Sequence, residues 1–241
     1  MFKVVLLGIA IVLDTFFFSV MTIIVSVLQK TGNIPHHIAR GWARSILLIS
    51  KVRVNVEGLD NITPGESYVY MANHQSMYDI VALLGHLRVP FRWLAKIELF
   101  RIPVFGYAMA RAGYIAIDRS NRRAAFNSID RAAKKVREGS SVIIFPEGAR
   151  SKDGNIKAFK KGGFMLALKS KRPIVPVTIL GSRSILPKGS LKVQTGKILV
   201  RVHPPIETTG FTIKTIDGLM ETVRSVICKG MEEYRIKNSN G

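Results

Sequence analysis

The chain has 241 residues, a length that suits one domain with an appendage. Hydrophobic residues make up 47% of it, with 10 Pro and 20 Gly, which excludes a disordered or collagen-like chain. A lone cysteine, Cys228, excludes an internal disulfide framework and any Cys-based zinc ribbon. Charge is the outlier: 36 Lys and Arg against 16 Asp and Glu give +20 and a pI of about 10.4. Such a surface seeks anions, whether nucleic acid, anionic lipid or a phosphorylated substrate.

The first element runs from Val4 to Leu28 and carries one charge, Asp14. As a helix it would be about 37 Å long, enough for a hydrocarbon core of about 30 Å. Its 17 Val, Leu, Ile and Phe residues favour partitioning by about 5–10 kcal/mol at most, and one Asp costs about 2.5–3.5 kcal/mol. The membrane wins. A cleaved signal peptide fits less well, because Lys3 alone makes the n-region, the apolar run is too long and no small-residue cleavage site follows. A buried core helix is the other alternative.

From His37 to Ile49 a second helix places His37, Arg40 and Arg44 on one side and Ile38, Trp42, Ala43, Ile46 and Ile49 on the other. That pattern suits a helix lying in a membrane interface, and equally one packed on the domain. Gly32 and Pro35 ahead of it predict a turn between two antiparallel helices. Residues 1–33 hold a net +1, so the excess charge belongs to the remainder, which the positive-inside bias places in the cytoplasm.

Residues 51–241 alternate β-rich runs with helical patterns, which argues for an α/β domain after a membrane-associated helical pair in residues 1–50. A mixed, mostly parallel sheet flanked by helices is expected. Strands are predicted over Val52–Val56, Tyr68–Ala72, Tyr114–Asp118, Ser141–Phe145, Ile174–Leu180 and Leu191–Val202, the last broken at Thr195-Gly196. Helices are predicted over Met77–Leu87, Arg122–Glu138, Gly163–Lys169 and from Ile216 onward. The tail Lys237–Gly241 is expected to fray.

Chemistry concentrates in Asn73-His74-Gln75-Ser76-Met77-Tyr78-Asp79, where a β-rich run gives way to a helix. On one continuous helix His74 and Asp79 would point about 140° apart. With His74 in the turn and Asp79 in the first helical turn, the imidazole can fold back onto the carboxylate, which suits a general base. The same Ser76-x-x-Asp79 spacing is also a capping box, a purely structural reading. Downstream, one strand ends in Arg119 and another runs into Pro146-Glu147-Gly148-Ala149-Arg150. Cations at strand ends beside Pro/Gly turns sit where open α/β sheets hold ligands, and Arg119 and Arg150 can each grip a phosphate. Taken singly, each Arg also reads as a solvated surface charge.

With these residues set out, the sequence resembles the 1-acylglycerol-3-phosphate acyltransferases of the wider glycerolipid acyltransferase superfamily. The resemblance covers roughly residues 50–205 through four ordered motifs: Asn73-His74-x-Ser76-x-x-Asp79, Gly113–Arg119, Phe145–Arg150 and Val175-Pro176-Val177. Lys96 in Lys96-Ile97-Glu98-Leu99 matches a family lysine, and Ala149 stands where the family usually has Thr or Ser. The fourth motif reads as core. The resemblance implies that His74, oriented by Asp79, deprotonates the sn-2 hydroxyl of lysophosphatidate for attack on an acyl thioester, giving phosphatidate. Lys96, Arg119 and Arg150 would clamp the phosphate, with Glu147 and Gly148 positioning the acceptor. Backbone N–H groups of the turn Asn73–Ser76 are the candidate oxyanion donors. No metal or resident cofactor is implied; acyl-CoA or acyl carrier protein thioester is a co-substrate. Membrane lipids and acyl carrier protein are the expected partners, and a bacterial inner membrane, with the catalytic domain on its cytoplasmic side, the expected location.

The alternatives are an acyltransferase for glycerol 3-phosphate or another lysolipid, and a basic binding protein for lipid or nucleic acid. Against nucleic acid, the aromatics gather at Phe16, Phe17 and Phe18 instead of interleaving with Lys and Arg. Hydrolase elbows, phosphate loops and His-Glu-x-x-His are missing from the sequence, and His36, His37, His86 and His203 form no ligand pattern.

Overall fold

The computed structural model describes residues 2–28 and 32–239. Helix α1 (Phe2–Leu28) is long and apolar enough to cross a membrane. Helix α2 (Asn33–Ile49) lies antiparallel against it, as three side-by-side contacts show: Ser45 Oγ donates to Asp14 Oδ1 at 2.7 Å, Trp42 Nε1 donates to Thr15 Oγ1 at 3.0 Å, and Gly41 meets the Phe18 ring. Helix α2 starts four residues earlier than its periodicity suggests. Gly32, with φ +75°, accepts from His36 N, and Pro35 sits in the first turn, where a missing N–H costs nothing. Gln29–Thr31, part of the expected inter-helix turn, lie outside the described residues.

The α2 face that the sequence left open between lipid and protein is packed at Ala43 and Ile46, half-buried at Ile38 and Trp42, and exposed at Ile49. Ala43, Ile46 and Leu47 are buried in the main core. Arg40 and Arg44 are spent on carbonyls, Arg40 on Leu87 and Val89 and Arg44 on Gly85. The exposed apolar face belongs to α1, where Val5, Leu6, Ile9, Val12, Leu13, Phe16, Phe17, Ile24, Val27 and Leu28 have nothing packed over them.

Seven strands follow: β1 (Val52–Glu57), β2 (Val69–Ala72), β3 (Phe91–Lys96), β4 (Ile115–Ile117), β5 (Ser141–Ile144), β6 (Ile174–Leu180) and β7 (Gly196–Val202). They form one sheet in the order β1-β7-β6-β2-β5-β3-β4. The five from β6 to β4 are mutually parallel, and β7 with its parallel partner β1 runs the other way. The remaining helices are α3 (Tyr78–His86), α4 (Phe105–Arg111), α5 (Arg122–Arg137), α6 (Lys161–Ser170), α7 (Ser182–Ile185) and α8 (Ile216–Ser239).

Period-two alternation splits the core in two. Tyr70, Ile143, Val175, Val177 and Ile179 face a layer made by α2, α3 and α4. Val69, Met71, Val142, Ile144 and Ile174 face a second layer made by α5, α6 and α8. In α8 the stripe Ile216, Leu219, Val223 and Ile227 is buried, as its spacing predicts. The last predicted strand is shorter than expected, because Leu191–Thr195 is irregular and pairing begins only at Gly196. The tail expected to fray is helical to Ser239, and Asn240 and Gly241 lie outside the described residues.

Two glycines separate backbone strain from steric fit. Gly58 (φ +74°) leads out of β1, and a Cβ there would stand 2.1 Å from the Val202 carbonyl oxygen, whereas Gly65 (φ +86°) has nothing within 4 Å. Gly65→Ala should therefore cost only the left-handed penalty, about 1–2 kcal/mol. Gly58→Ala should cost clearly more by forcing β7 away. Thermal melting of both variants in one detergent checks the order.

Candidate active site

The five parallel strands end on one edge of the sheet, and the chain leaving that edge carries the polar residues singled out above. From β2 it continues through Asn73 and His74 into α3; from β5 it continues through Phe145–Arg150 toward α6. Since β2 and β5 are neighbours and α3 and α6 lie on opposite faces, the crevice between them is a topological switch point.

In that crevice His74 Nδ1 lies 2.8 Å from Asp79 Oδ2, with the Asp79 side chain 0% and the His74 side chain 12% exposed. A carboxylate only accepts, so Nδ1 carries the proton, and in the neutral ring it is Nε2 that has the free lone pair. Asp79 Oδ2 also accepts from Gln75 N at 2.7 Å and Ser76 N at 2.8 Å. The capping reading and the orienting reading are thus one interaction: the same oxygen ties down the turn before α3 and fixes the ring. Nε2 meets no hydrogen-bonding partner among the described residues, which leaves it available to an incoming hydroxyl.

The ring is also held from its face. Phe145 stacks on His74 with centroids 3.9 Å apart and planes within 11°, and Trp93 stacks on the far side of Phe145 at 5.6 Å. Two further side chains lock the loop. Asn73 donates to the Ile179 carbonyl at 2.9 Å and accepts from Ile179 N at 2.7 Å, pinning the end of β2 to β6. Ser76 Oγ donates to Leu186 O at 2.8 Å. Phe145 and Trp93 were not among the site residues read from the sequence; no spacing rule signals a ring that packs across strands.

Glu147 is buried and spends both oxygens on main-chain donors, Oε1 accepting from His74 N at 2.7 Å and Oε2 from Lys157 N at 2.9 Å. Burial pushes its carboxyl above the usual range, against the pull of those two N–H groups. It therefore ties the two loops together through their main chains. The N–H groups of His74, Gln75 and Ser76, three of the expected oxyanion donors, each donate to a carboxylate here. Gly148 (φ +70°) donates its N–H to Phe145 O and accepts from Arg119 Nη1 at 3.3 Å; a Cβ there would crowd Lys160 and Arg119.

The predicted cations surround the crevice. Arg119 follows β4 beside Gly148, Lys96 closes β3, and Arg150 is half-buried after Glu147. Lys157 and Lys188, which the sequence reading did not single out, both donate to the Arg150 carbonyl, at 3.0 and 3.2 Å. Elsewhere, His36 is buried against Tyr114 at 3.3 Å, and burial, then Arg92 and Arg40, lower its pKa to about 3, which keeps it neutral. Among the described residues no three His, Cys, Asp or Glu side chains converge as metal ligands.

Comparison with known proteins gives a consistent picture. The acyltransferase family model matches residues 53–180. A chloroplastic 1-acyl-sn-glycerol-3-phosphate acyltransferase of Arabidopsis thaliana is 37% identical over 82% of this chain and 54% of its own length. The 1-acyl-sn-glycerol-3-phosphate acyltransferase of Borreliella burgdorferi is 30% identical over 82% of this chain and 79% of its own. The chain spans about half the length of several of the curated relatives it matches. The crystal structure of the 1-acyl-sn-glycerophosphate acyltransferase of Thermotoga maritima superposes with a TM-score of 0.82 at 28% identity, covering 97% of this chain and 95% of that one.

The Glu147 bridge makes a stability prediction. Glu147→Gln keeps the volume but turns one acceptor into a donor facing a buried N–H, which should cost about 1–3 kcal/mol. The melting temperature should fall accordingly; an unchanged value would mean that the two main-chain bonds contribute nothing.

Proposed function

The chain belongs to the acyltransferase family, and from that membership we propose that it moves a fatty acyl group from a thioester to the sn-2 hydroxyl of lysophosphatidate, giving phosphatidate. The observation that carries this reading is the buried Asp79 holding the His74 ring with Nε2 open, beside cations that have no carboxylate partner among the described residues. Relatives across 30–39% identity bear the name of this activity and support the acceptor.

The chemistry follows from the ring. His74 Nε2 takes the proton of the sn-2 hydroxyl as its oxygen attacks the thioester carbonyl. Asp79 stabilises the imidazolium that forms. Collapse of the tetrahedral adduct breaks the carbon–sulfur bond, and the departing thiolate takes the proton back, leaving a free thiol and a neutral imidazole. General-base catalysis contributes about 10²–10⁴-fold, so much of the acceleration comes from holding hydroxyl, carbonyl and ring in line. Lys96, Arg119 and Arg150 hold the acceptor's phosphate, and coenzyme A or acyl carrier protein brings the thioester.

The apolar outer face of α1 seats the protein in a membrane, on the cytoplasmic side, where basic residues meet anionic lipid. Both substrates of this reading are anionic, and one is a lipid, so the membrane surface concentrates them.

An assay of the detergent-solubilised full chain, pairing several acceptors with both thioester classes, tests the reading. Turnover should be strongest with lysophosphatidate; a preference for glycerol 3-phosphate or a neutral lysolipid would replace the acceptor. His74→Ala should lose at least 10²-fold in kcat while the protein stays folded and membrane-bound, and near-normal turnover would remove the catalytic assignment. Arg150→Ala should raise KM for the phosphorylated acceptor; an effect confined to the donor would reverse that role.

A further inference from the structure

Two ammonium groups meet on one main-chain oxygen beside His74. Lys157 Nζ and Lys188 Nζ donate to the Arg150 carbonyl at 3.0 and 3.2 Å, so like charges share a single acceptor. Burial, then Lys157, Lys152, Arg150 and Lys96, pull the Lys188 ammonium below the ordinary lysine range. Five cations therefore gather here, and none of them pairs with an acid among the described residues. Of the acids near these cations in sequence, Glu147 is occupied by main-chain N–H groups and Asp153 by Ser151 and Asn155, while Glu98, two residues from Lys96, is exposed and pairs with none of the five among the described residues. A cluster of this kind is stable when an anion sits in it.

The cluster is tied to the reacting residue by single hydrogen bonds. The peptide group whose carbonyl gathers the two lysines is the one whose N–H, that of Ser151, donates to His74 O at 2.8 Å. Standard peptide dimensions then put the gathering oxygen within about 5 Å of the His74 carbonyl oxygen. Lys157 is tied a second time, through its own N–H on Glu147, whose other oxygen holds His74 N. Lys188 follows Leu186, whose carbonyl accepts from Ser76 Oγ in the same turn. Motion of the anion seat relative to the imidazole is thereby restricted.

We propose that Lys157 and Lys188 complete the seat for the acceptor's phosphate and select a phosphate monoester over a diester or neutral headgroup. This rests on the acyl-transfer reading above. Each ammonium has three donors and spends one on the Arg150 carbonyl, leaving two for an anion. A monoester carries close to two negative charges and three terminal oxygens at neutral pH, which matches converging donors. A diester offers one charge, two free oxygens and a bulky substituent where the second lysine stands. The seat's closeness to His74 favours the acceptor over the donor: in lysophosphatidate the hydroxyl and the phosphate are on neighbouring carbons, whereas a donor's phosphates lie a pantetheine arm away from its thioester.

Steady-state kinetics on the full chain in mixed micelles, with each substrate varied in turn, tests this. Lys188→Ala should raise KM for lysophosphatidate about 10- to 100-fold, as expected for loss of a charge-assisted contact, while KM for the thioester stays put. Lys157→Ala should do likewise, Lys188→Arg should recover most of the loss, and the preference for lysophosphatidate over lysophosphatidylglycerol should shrink in both alanine variants. Lys214→Ala, an equal loss of charge at an exposed site remote from the motifs, is the control and should leave the kinetics unchanged. A raised thioester KM instead, unchanged kinetics, or an equal fall in kcat on every acceptor together with a lowered melting temperature would each overturn the seat. A calorimetric titration with glycerol 3-phosphate separates the two claims. Wild type that binds it, with binding weakened at least tenfold in Lys188→Ala, keeps the seat even where no acyl transfer to lysophosphatidate is found. Normal lysophosphatidate turnover with binding unaltered by either substitution ends the seat and leaves the acyl-transfer reading standing.

Discussion

Asp79 Oδ2 accepts three hydrogen bonds, from the His74 ring and from the main chain of Gln75 and Ser76, and it does so with its side chain out of contact with water. A buried carboxylate is costly without donors, and here the turn itself and the imidazole supply them to Oδ2, while Oδ1 meets no hydrogen-bond partner among the described residues. Removing the acid would release the start of α3, free the ring to rotate and leave two N–H groups unpaired. The helix start and the orientation of the His74 ring therefore cannot be altered separately. The ring's second restraint, stacking on Phe145, comes from the neighbouring strand, so the imidazole is fixed along its edge by one strand's loop and across its face by another's.

The switch point explains why these loops can meet. Strands β2 and β5 lie side by side, and their continuations leave to opposite faces, opening a crevice with main-chain groups that no helix or strand satisfies. Glu147 fills that role, bridging His74 N and Lys157 N across the gap. The acids of the site are thus turned inward and consumed by the backbone, while the cations at the same edge keep their charge facing outward. An anion-attracting field results from where the carboxylates are used as much as from how many lysines the chain carries.

Much of this was legible in the sequence, for identifiable reasons. Strongly periodic segments declared themselves: β6 and the stripe of α8 fall where expected. His74 and Asp79 were legible as a pair because five residues with a turn between them leave little choice of geometry. The strand Phe91–Lys96 escaped because Arg92, a charge at its second position, breaks the apolar pattern, yet it is buried with Nη2 on Asn33 Oδ1. Helix α4 escaped because its entry, Val104 at φ +63°, is a conformation that no propensity scale anticipates for a β-branched residue. Lys157 and Lys188 lie 31 positions apart and meet only because α6 and the parallel crossover to β6 return the chain to the same edge, information that exists in the topology and not in any local spacing.

The N-terminal helix shows the same dependence on tertiary context. Taken alone, Asp14 is a charge in an apolar span and counts against membrane insertion. In the fold it accepts from Ser45 Oγ, on the side of α1 that packs against α2. Along that side Thr15, Ser19, Thr22 and Ser26 return their hydroxyls to carbonyls three or four residues back, and Ser26 also accepts from Arg111 of α4. Small hydroxylated residues let the helices approach closely while leaving few unsatisfied polar groups. The helix is therefore two-faced, polar toward protein and, beyond Lys3 at its start, apolar away from it. The charge that argued against lipid helps to fasten the apolar helix to α2 and so to the α/β domain.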